Sequence, residues 1–187
     1  MTLLVLGLIL WTLVHLFKRV APDARAAMDR SLGAGPARGV IAALLLVGTV
    51  LMVVGFRRAP FVAVYDPPAW GLHLNNLLMI GAVFLLGAGH SKGAARRWLR
   101  HPMLTAVLLW AVAHLLVNGD RASLVLFGWL GIWAVAEMLL INAREPVWVR
   151  PAPGTRAGTV RWVVISVVVF GVIATVHTWL GYWPFPQ

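Results

Sequence analysis

Long apolar runs alternate with short polar, arginine-bearing connections along this chain. The runs cover residues 3–17, 39–56, 69–89, 102–118, 122–142 and 160–183. A helix needs about 20 mostly apolar residues to cross a hydrocarbon core of ~30 Å. In lipid the backbone must satisfy its own hydrogen bonds, so helices are the predicted solution. The pattern predicts an all-α, polytopic membrane protein: six transmembrane helices in a single domain spanning residues 1–187.

The connections are equally patterned. Residues 18–38 hold Pro22 and Asp23 at the start of a run in which small apolar residues alternate with Arg25, Asp29 and Arg30. Proline suits a first helical turn, and an acid there complements the helix dipole. This predicts a short amphipathic helix on the cytoplasmic surface after helix one, ended by Gly33 and Gly35-Pro36. Pro60, Pro67 and Pro68, beside Tyr65, predict a fixed turn after the second run. The four residues Asn118-Gly119-Asp120-Arg121 are too few for anything but an antiparallel pairing of the runs they join.

Composition agrees with a membrane. The 187 residues are 60% hydrophobic and 12% charged, whereas soluble domains carry about 25% charge. The net charge of +10 raises the question of nucleic acid, and the placement of the charges answers it. If the runs alternate in direction, thirteen of the sixteen Lys and Arg residues fall on one side, and only Arg57, Arg58 and Arg121 on the other. The positive-inside rule then puts both termini in the periplasm of a bacterial inner membrane. Anionic membrane lipid is a sufficient partner for these charges, and no basic face suited to nucleic acid emerges. The first positive charges, Lys18 and Arg19, follow the first apolar run, the reverse of a cleavable signal peptide. The ten tryptophans cluster toward helix ends; Trp70, Trp98, Trp148, Trp162, Trp179 and Trp183 are predicted at the interface.

Candidate chemistry rests on six histidines; there is no cysteine. That excludes disulfides, thiolate ligation and covalent c-type haem. His15 follows Trp11 by four positions, and His114 follows Trp110 by four, so each imidazole shares a helix face with an indole. Two imidazoles among aromatic side chains can grip a flat apolar cofactor, and haem is the natural occupant. The alternative is that each histidine simply bonds a backbone carbonyl within the bundle. Arg100-His101-Pro102 marks the start of the fourth helix, where His101 suits a supporting, head-group or substrate contact. His73 lies one turn into the third helix, at a depth near that of His114. Glu137 is the one acid deep in an apolar run and should face the interior.

The segments Arg100-His101-Pro102-Met103 and Ala113-His114-Leu115-Leu116-Val117-Asn118-Gly119-Asp120, with Pro60, Pro67-Pro68, Trp70, His73 and His15, resemble the NnrU family over nearly the whole chain. That family is associated with denitrification, in particular with nitrite and nitric oxide reductase systems. It is similar to the plastid 15-cis-zeta-carotene isomerase, which uses b-type haem held by histidines. The resemblance implies haem b with His15 and His114 as iron ligands, and the spacing adds Trp11 and Trp110 as the residues that would line it. Arg100, His101, Asn118, Asp120 and Glu137 are further candidates for supporting or functional roles. Two departures, Leu16-Phe17 after His15 and Arg57-Arg58-Ala59 after helix two, separate this chain from the isomerase. The implied chemistry is therefore open between redox work, nitric oxide sensing and isomerisation of an isoprenoid-like lipid. The other expectation is a non-catalytic assembly or regulatory factor for nitrite and nitric oxide reductase components, with structural histidines. One geometric tension stands: at ~1.5 Å per residue His15 and His114 differ in depth by about 10 Å. His73 is the replacement ligand if depth decides.

Overall fold

The structure is a computed structural model that describes residues 1–185. It is all-α, with seven helices among the described residues: α1 Thr2–Val20, α2 Pro22–Leu32, α3 Ala34–Arg57, α4 Gly71–Ala88, α5 Pro102–Leu115, α6 Arg121–Arg144 and α7 Arg156–Trp179. A four-residue 3-10 turn, Ala94–Arg97, sits between α4 and α5. Five helices, α1, α3, α4, α6 and α7, are long and apolar enough to cross a membrane. The protein is thus multi-pass.

The run expected to supply a further span, residues 102–118, is helical only to Leu115. Fourteen residues rise about 21 Å, short of the ~30 Å core. The helix tightens and ends there: the Val117 N–H turns to the His114 carbonyl at 3.2 Å, and Asn118 donates to the same carbonyl from its backbone N–H and its side-chain amide, at 3.0 and 2.8 Å.

The short helix expected after the first span is present as α2. Pro22 occupies its first turn, Asp23 lies in that turn, and Arg25 pairs with Asp29 one turn on. Gly33 ends it at φ 85°, a left-handed conformation that glycine adopts without a Cβ penalty. Gly35-Pro36 does not help to end it, contrary to expectation. Both belong to the first turn of α3, where a proline's missing N–H costs no hydrogen bond.

Contacts group the chain into two compact units. The first comprises residues 1–64 and 120–129. Here α1 and α3 run antiparallel in close contact. A Cβ on Gly7 would sit 2.7 Å from Met52 N, one on Gly48 3.2 Å from Trp11 Cβ, and one on Gly55 2.7 Å from Leu4 Cα. Glycine lets the two backbones approach to a distance no larger residue permits. These three glycines carry the packing, rather than Gly128, whose Cβ would meet nothing within 4 Å. Phe56 meets Phe127 edge-on at 6.5 Å, and the Trp129 indole donates to Thr12 Oγ1 at 2.9 Å.

The second unit comprises, among the described residues, 65–119 and 130–185. α4 packs against both α5 and α7. The buried Trp162 of α7 donates from its indole to the Phe84 carbonyl at 2.9 Å and lies edge-on to Phe84 and Trp98. Its expected interfacial role gives way to a core one, because Gly87 leaves room for the ring. Trp70, Trp98 and Trp179 are exposed. α5 and the second part of α6 are antiparallel and adjacent: Ala111 packs on Gly131, and His101 bonds Asn142.

Candidate functional site

Each candidate histidine is best read from its own helical turn. In α1, within the first unit, His15 Nδ1 lies 2.9 Å from the Trp11 carbonyl oxygen. In α5, within the second unit, His114 Nδ1 lies 2.8 Å from the Trp110 carbonyl oxygen. A carbonyl only accepts, so in both cases Nδ1 must carry the proton and donate it. Nε2 is then the basic nitrogen, the state in which a neutral imidazole ligates a metal. The indoles lie where the four-residue spacing puts them: ring centroids are 3.7 Å apart for Trp11 and His15, and 5.2 Å apart for Trp110 and His114. Both histidines are half-buried.

His177 in α7 repeats this arrangement. Its Nδ1 lies 2.8 Å from the Ile173 carbonyl oxygen. A search for tryptophan four residues before histidine passes over it, since isoleucine stands at that position. The shared feature is a backbone carbonyl, which every helical residue supplies. No side-chain pattern signals it.

The remaining candidates fall into structural positions. His101 is the residue before the first turn of α5 and donates from Nε2 to Asn142 Oδ1 at 2.8 Å. Arg100 donates to the Glu145 carbonyl and, at 3.4 Å, to the Pro146 carbonyl. Together they tie the start of α5 to the end of α6. Asn118 closes the turn that carries His114, and its own carbonyl accepts from the Tyr65 hydroxyl at 3.0 Å. Glu137 is buried in α6 with Trp133 one turn before it. His73 is exposed one turn into α4, and His90 is exposed just beyond its end. Among the described residues no group of three or more His, Asp or Glu side chains is arranged to hold a metal ion.

Asp120 caps α6. Its Oδ1 accepts from the Ala122 and Ser123 N–H groups at 2.9 and 3.0 Å, and its Oδ2 accepts from the Ser123 hydroxyl at 2.5 Å. Partial burial pushes the carboxyl up, but the bonds from Ser123 and Ala122 outweigh it and hold its pKa below the ordinary value. A depressed carboxylate pKa stabilises the fold above the unfolded value of about 3.9 and ceases to do so as pH falls through the folded value. Asp120→Ala is expected to cost about 1 kcal/mol at pH 7. Asp120→Asn, which keeps an accepting oxygen, should flatten the loss of thermal stability of the detergent-purified protein below about pH 4.

Comparison with known protein families matches residues 3–184 to the NnrU protein family. The chain belongs to the NnrU family. Membership makes it an NnrU-type protein linked to denitrification, and the match takes in α2 to α7 and all but the first residue of α1. No curated protein and no solved structure matches it. In this NnrU chain the Asn118–Asp120 connection closes α5 and opens α6.

Proposed function

We propose that this NnrU protein is a six-span inner-membrane protein that binds b-type haem through histidine and serves nitrite and nitric oxide respiration. One observation carries the reading. In His15 and His114 alike, Nδ1 donates to the carbonyl four residues earlier, which makes Nε2 the basic nitrogen and fixes the ring against its helix. That arrangement suits a haem-ligating imidazole, since a fixed tautomer and orientation strengthen the ligand. The donor set also fits haem better than a closed zinc site, which takes four protein ligands. When bound, haem would supply a redox-active iron able to take up a small ligand such as nitric oxide. The chain itself orients the imidazoles, lines them with the Trp11 and Trp110 indoles, and closes the turn below His114 with Asn118.

The same hydrogen bonds also satisfy a histidine that holds no cofactor, which favours the assembly-factor reading as the alternative. The two diverge on cofactor content: the haem reading expects a Soret band in protein purified from haem-replete cells, and the assembly reading expects none. For an isoprenoid-like lipid the reading would call on an open groove of about 480 Å³ on α7, lined by Phe170, Gly171, Ala174, Thr175, Thr178 and Trp179, with Phe185, and with no candidate histidine in its wall. The Thr175 and Thr178 hydroxyls donate to carbonyls of their own helix, leaving an apolar wall.

Orientation is directly testable because the chain has no cysteine. With the basic connections in the cytoplasm, Ser31→Cys and Pro153→Cys should resist a membrane-impermeant maleimide in spheroplasts. Thr2→Cys and Ala63→Cys should react. The opposite labelling pattern would reverse the topology.

A further inference from the structure

Within the second unit, the connection between α4 and α5 folds onto the first turns of α7. The Thr155 N–H donates to the Lys92 carbonyl at 2.9 Å, and the Ala94 N–H donates to Thr159 Oγ1 at 3.0 Å. Glycine makes the approach possible: a Cβ on Gly93 would lie 2.6 Å from Thr159 Cα, and one on Gly158 would run into the Lys92 carbonyl. The exposed Trp98 stands edge-on to the buried Trp162, with ring centroids 5.5 Å apart. The turn Ala94–Arg97 is therefore anchored at both of its ends.

This packing gathers cations. Lys92 and Arg156 adjoin the hydrogen bond between Lys92 and Thr155, and Arg97 and Arg161 are the chain neighbours of Trp98 and Trp162. Lys92, Arg156 and Arg161 are exposed. Arg96 is half-buried, and its Nε is enclosed without an acceptor, so the guanidinium is held against the fold. Residues 89–101 and 146–187 contain no Asp or Glu. Among the described residues no carboxylate pairs with any of these five cations. The basic connection of the first unit differs: α2 carries Asp23 and Asp29, and Arg25 pairs with Asp29. Like charges that a fold holds side by side repel each other, and a bound anion relieves the repulsion. Guanidinium groups suit phosphate in particular.

The surroundings point to the source of the phosphate. Exposed tryptophan marks head-group depth. Arg156 heads a face of α7 on which Val160, Val163 and Val167 recur at helical spacing, all exposed. From Arg156 to Val167 the helix rises about 16 Å, close to one leaflet of a ~30 Å core. A soluble phosphate compound or a nucleic acid would use the cations and leave the valines bare, whereas a phospholipid uses both.

We infer that Lys92, Arg96, Arg97, Arg156 and Arg161 form a site for one anionic phospholipid, with its phosphate among the cations and its acyl chains along the valine face of α7. Such a site goes beyond the diffuse attraction of basic connections to a membrane, and it is independent of the haem reading.

The test is native mass spectrometry of the detergent-purified full-length protein, titrated with phosphatidylglycerol and, separately, with phosphatidylcholine. Wild type should bind one phosphatidylglycerol saturably and phosphatidylcholine more weakly. Lys92→Gln with Arg156→Gln alters only exposed side chains and should weaken the site about thirtyfold, the effect of two near-surface cations. Arg161→Gln, also at an exposed position, is the second variant and should weaken it about fivefold. Arg30→Gln with Arg38→Gln removes the same charge from exposed positions in the first unit and should leave binding unchanged. Equal weakening by the two double variants would mean diffuse charge and overturn the site, as would equal binding of the two lipids. Tight binding of a single-stranded oligonucleotide in place of phosphatidylglycerol would overturn it too.

Discussion

His114→Ala should purify with almost no haem, and the sharp reduced α and β bands should disappear. The expectation follows from position as well as chemistry. His114 is a haem ligand in the reading proposed above. Its ring is fixed by the Trp110 carbonyl, and its turn is closed twice by Asn118. Removing the imidazole would remove the iron–nitrogen bond, and the chain has no cysteine to supply a thiolate in its place. Haem content per polypeptide, measured as the pyridine haemochrome, checks this directly. Asn118→Ala, which loses the closing bond and keeps the ligand, should lower haem affinity about tenfold, the lower end for an outer-shell partner. If His114→Ala retained full haem content and only melted at lower temperature, the histidine would be structural.

The second large effect is expected in the first unit, where Gly55→Ala should separate α1 from α3. The added methyl would meet Leu4 Cα at 2.7 Å and the Leu3 carbonyl carbon at 2.8 Å. Those are backbone atoms, so no rotamer change relieves the clash. Overpacking ordinarily costs about 1–3 kcal/mol, and a rigid backbone partner places this substitution at the upper end. Gly39→Ala in the same helix is the control. A Cβ there meets nothing within 4 Å, so the helix should gain up to about 1 kcal/mol from the better helix former. Thermal unfolding in one detergent should therefore shift in opposite directions for the two variants. An unchanged midpoint for Gly55→Ala would mean that α1 and α3 do not approach as closely as described.

What the sequence could disclose follows from the range of the interactions involved. Apolar runs and their breakers are local, so every span except the fourth is found close to its expected limits. Pro22 and Gly33 bracket α2 because a first-turn proline and a left-handed glycine act within a few residues. Gly35-Pro36 was ambiguous for the same local reason: proline both follows helices and begins them. The early end of α5 depends on Asn118 folding back onto His114, a choice that an apolar run with one polar residue leaves open. The tight glycines Gly7, Gly48 and Gly55 needed the α1–α3 register to stand out from the eighteen glycines of the chain.

The candidate site divides along the same line. The Trp-x-x-x-His spacing is local and correctly places an indole beside each of two imidazoles. The hydrogen bond that sets the tautomer goes to the backbone, so the same preparation of His177 leaves no mark in the sequence. Arg100, His101 and Asp120 read as candidates from their chemistry alone. Their partners, the Glu145 carbonyl, Asn142 and Ser123, show them holding helix ends.

The most direct test of haem binding is the visible spectrum of the detergent-purified protein, oxidised and then dithionite-reduced, from cells supplied with haem precursor. The account requires a Soret band that shifts on reduction, with sharp α and β bands of low-spin haem b. A featureless spectrum from folded protein would contradict it and put the assembly-factor reading in its place.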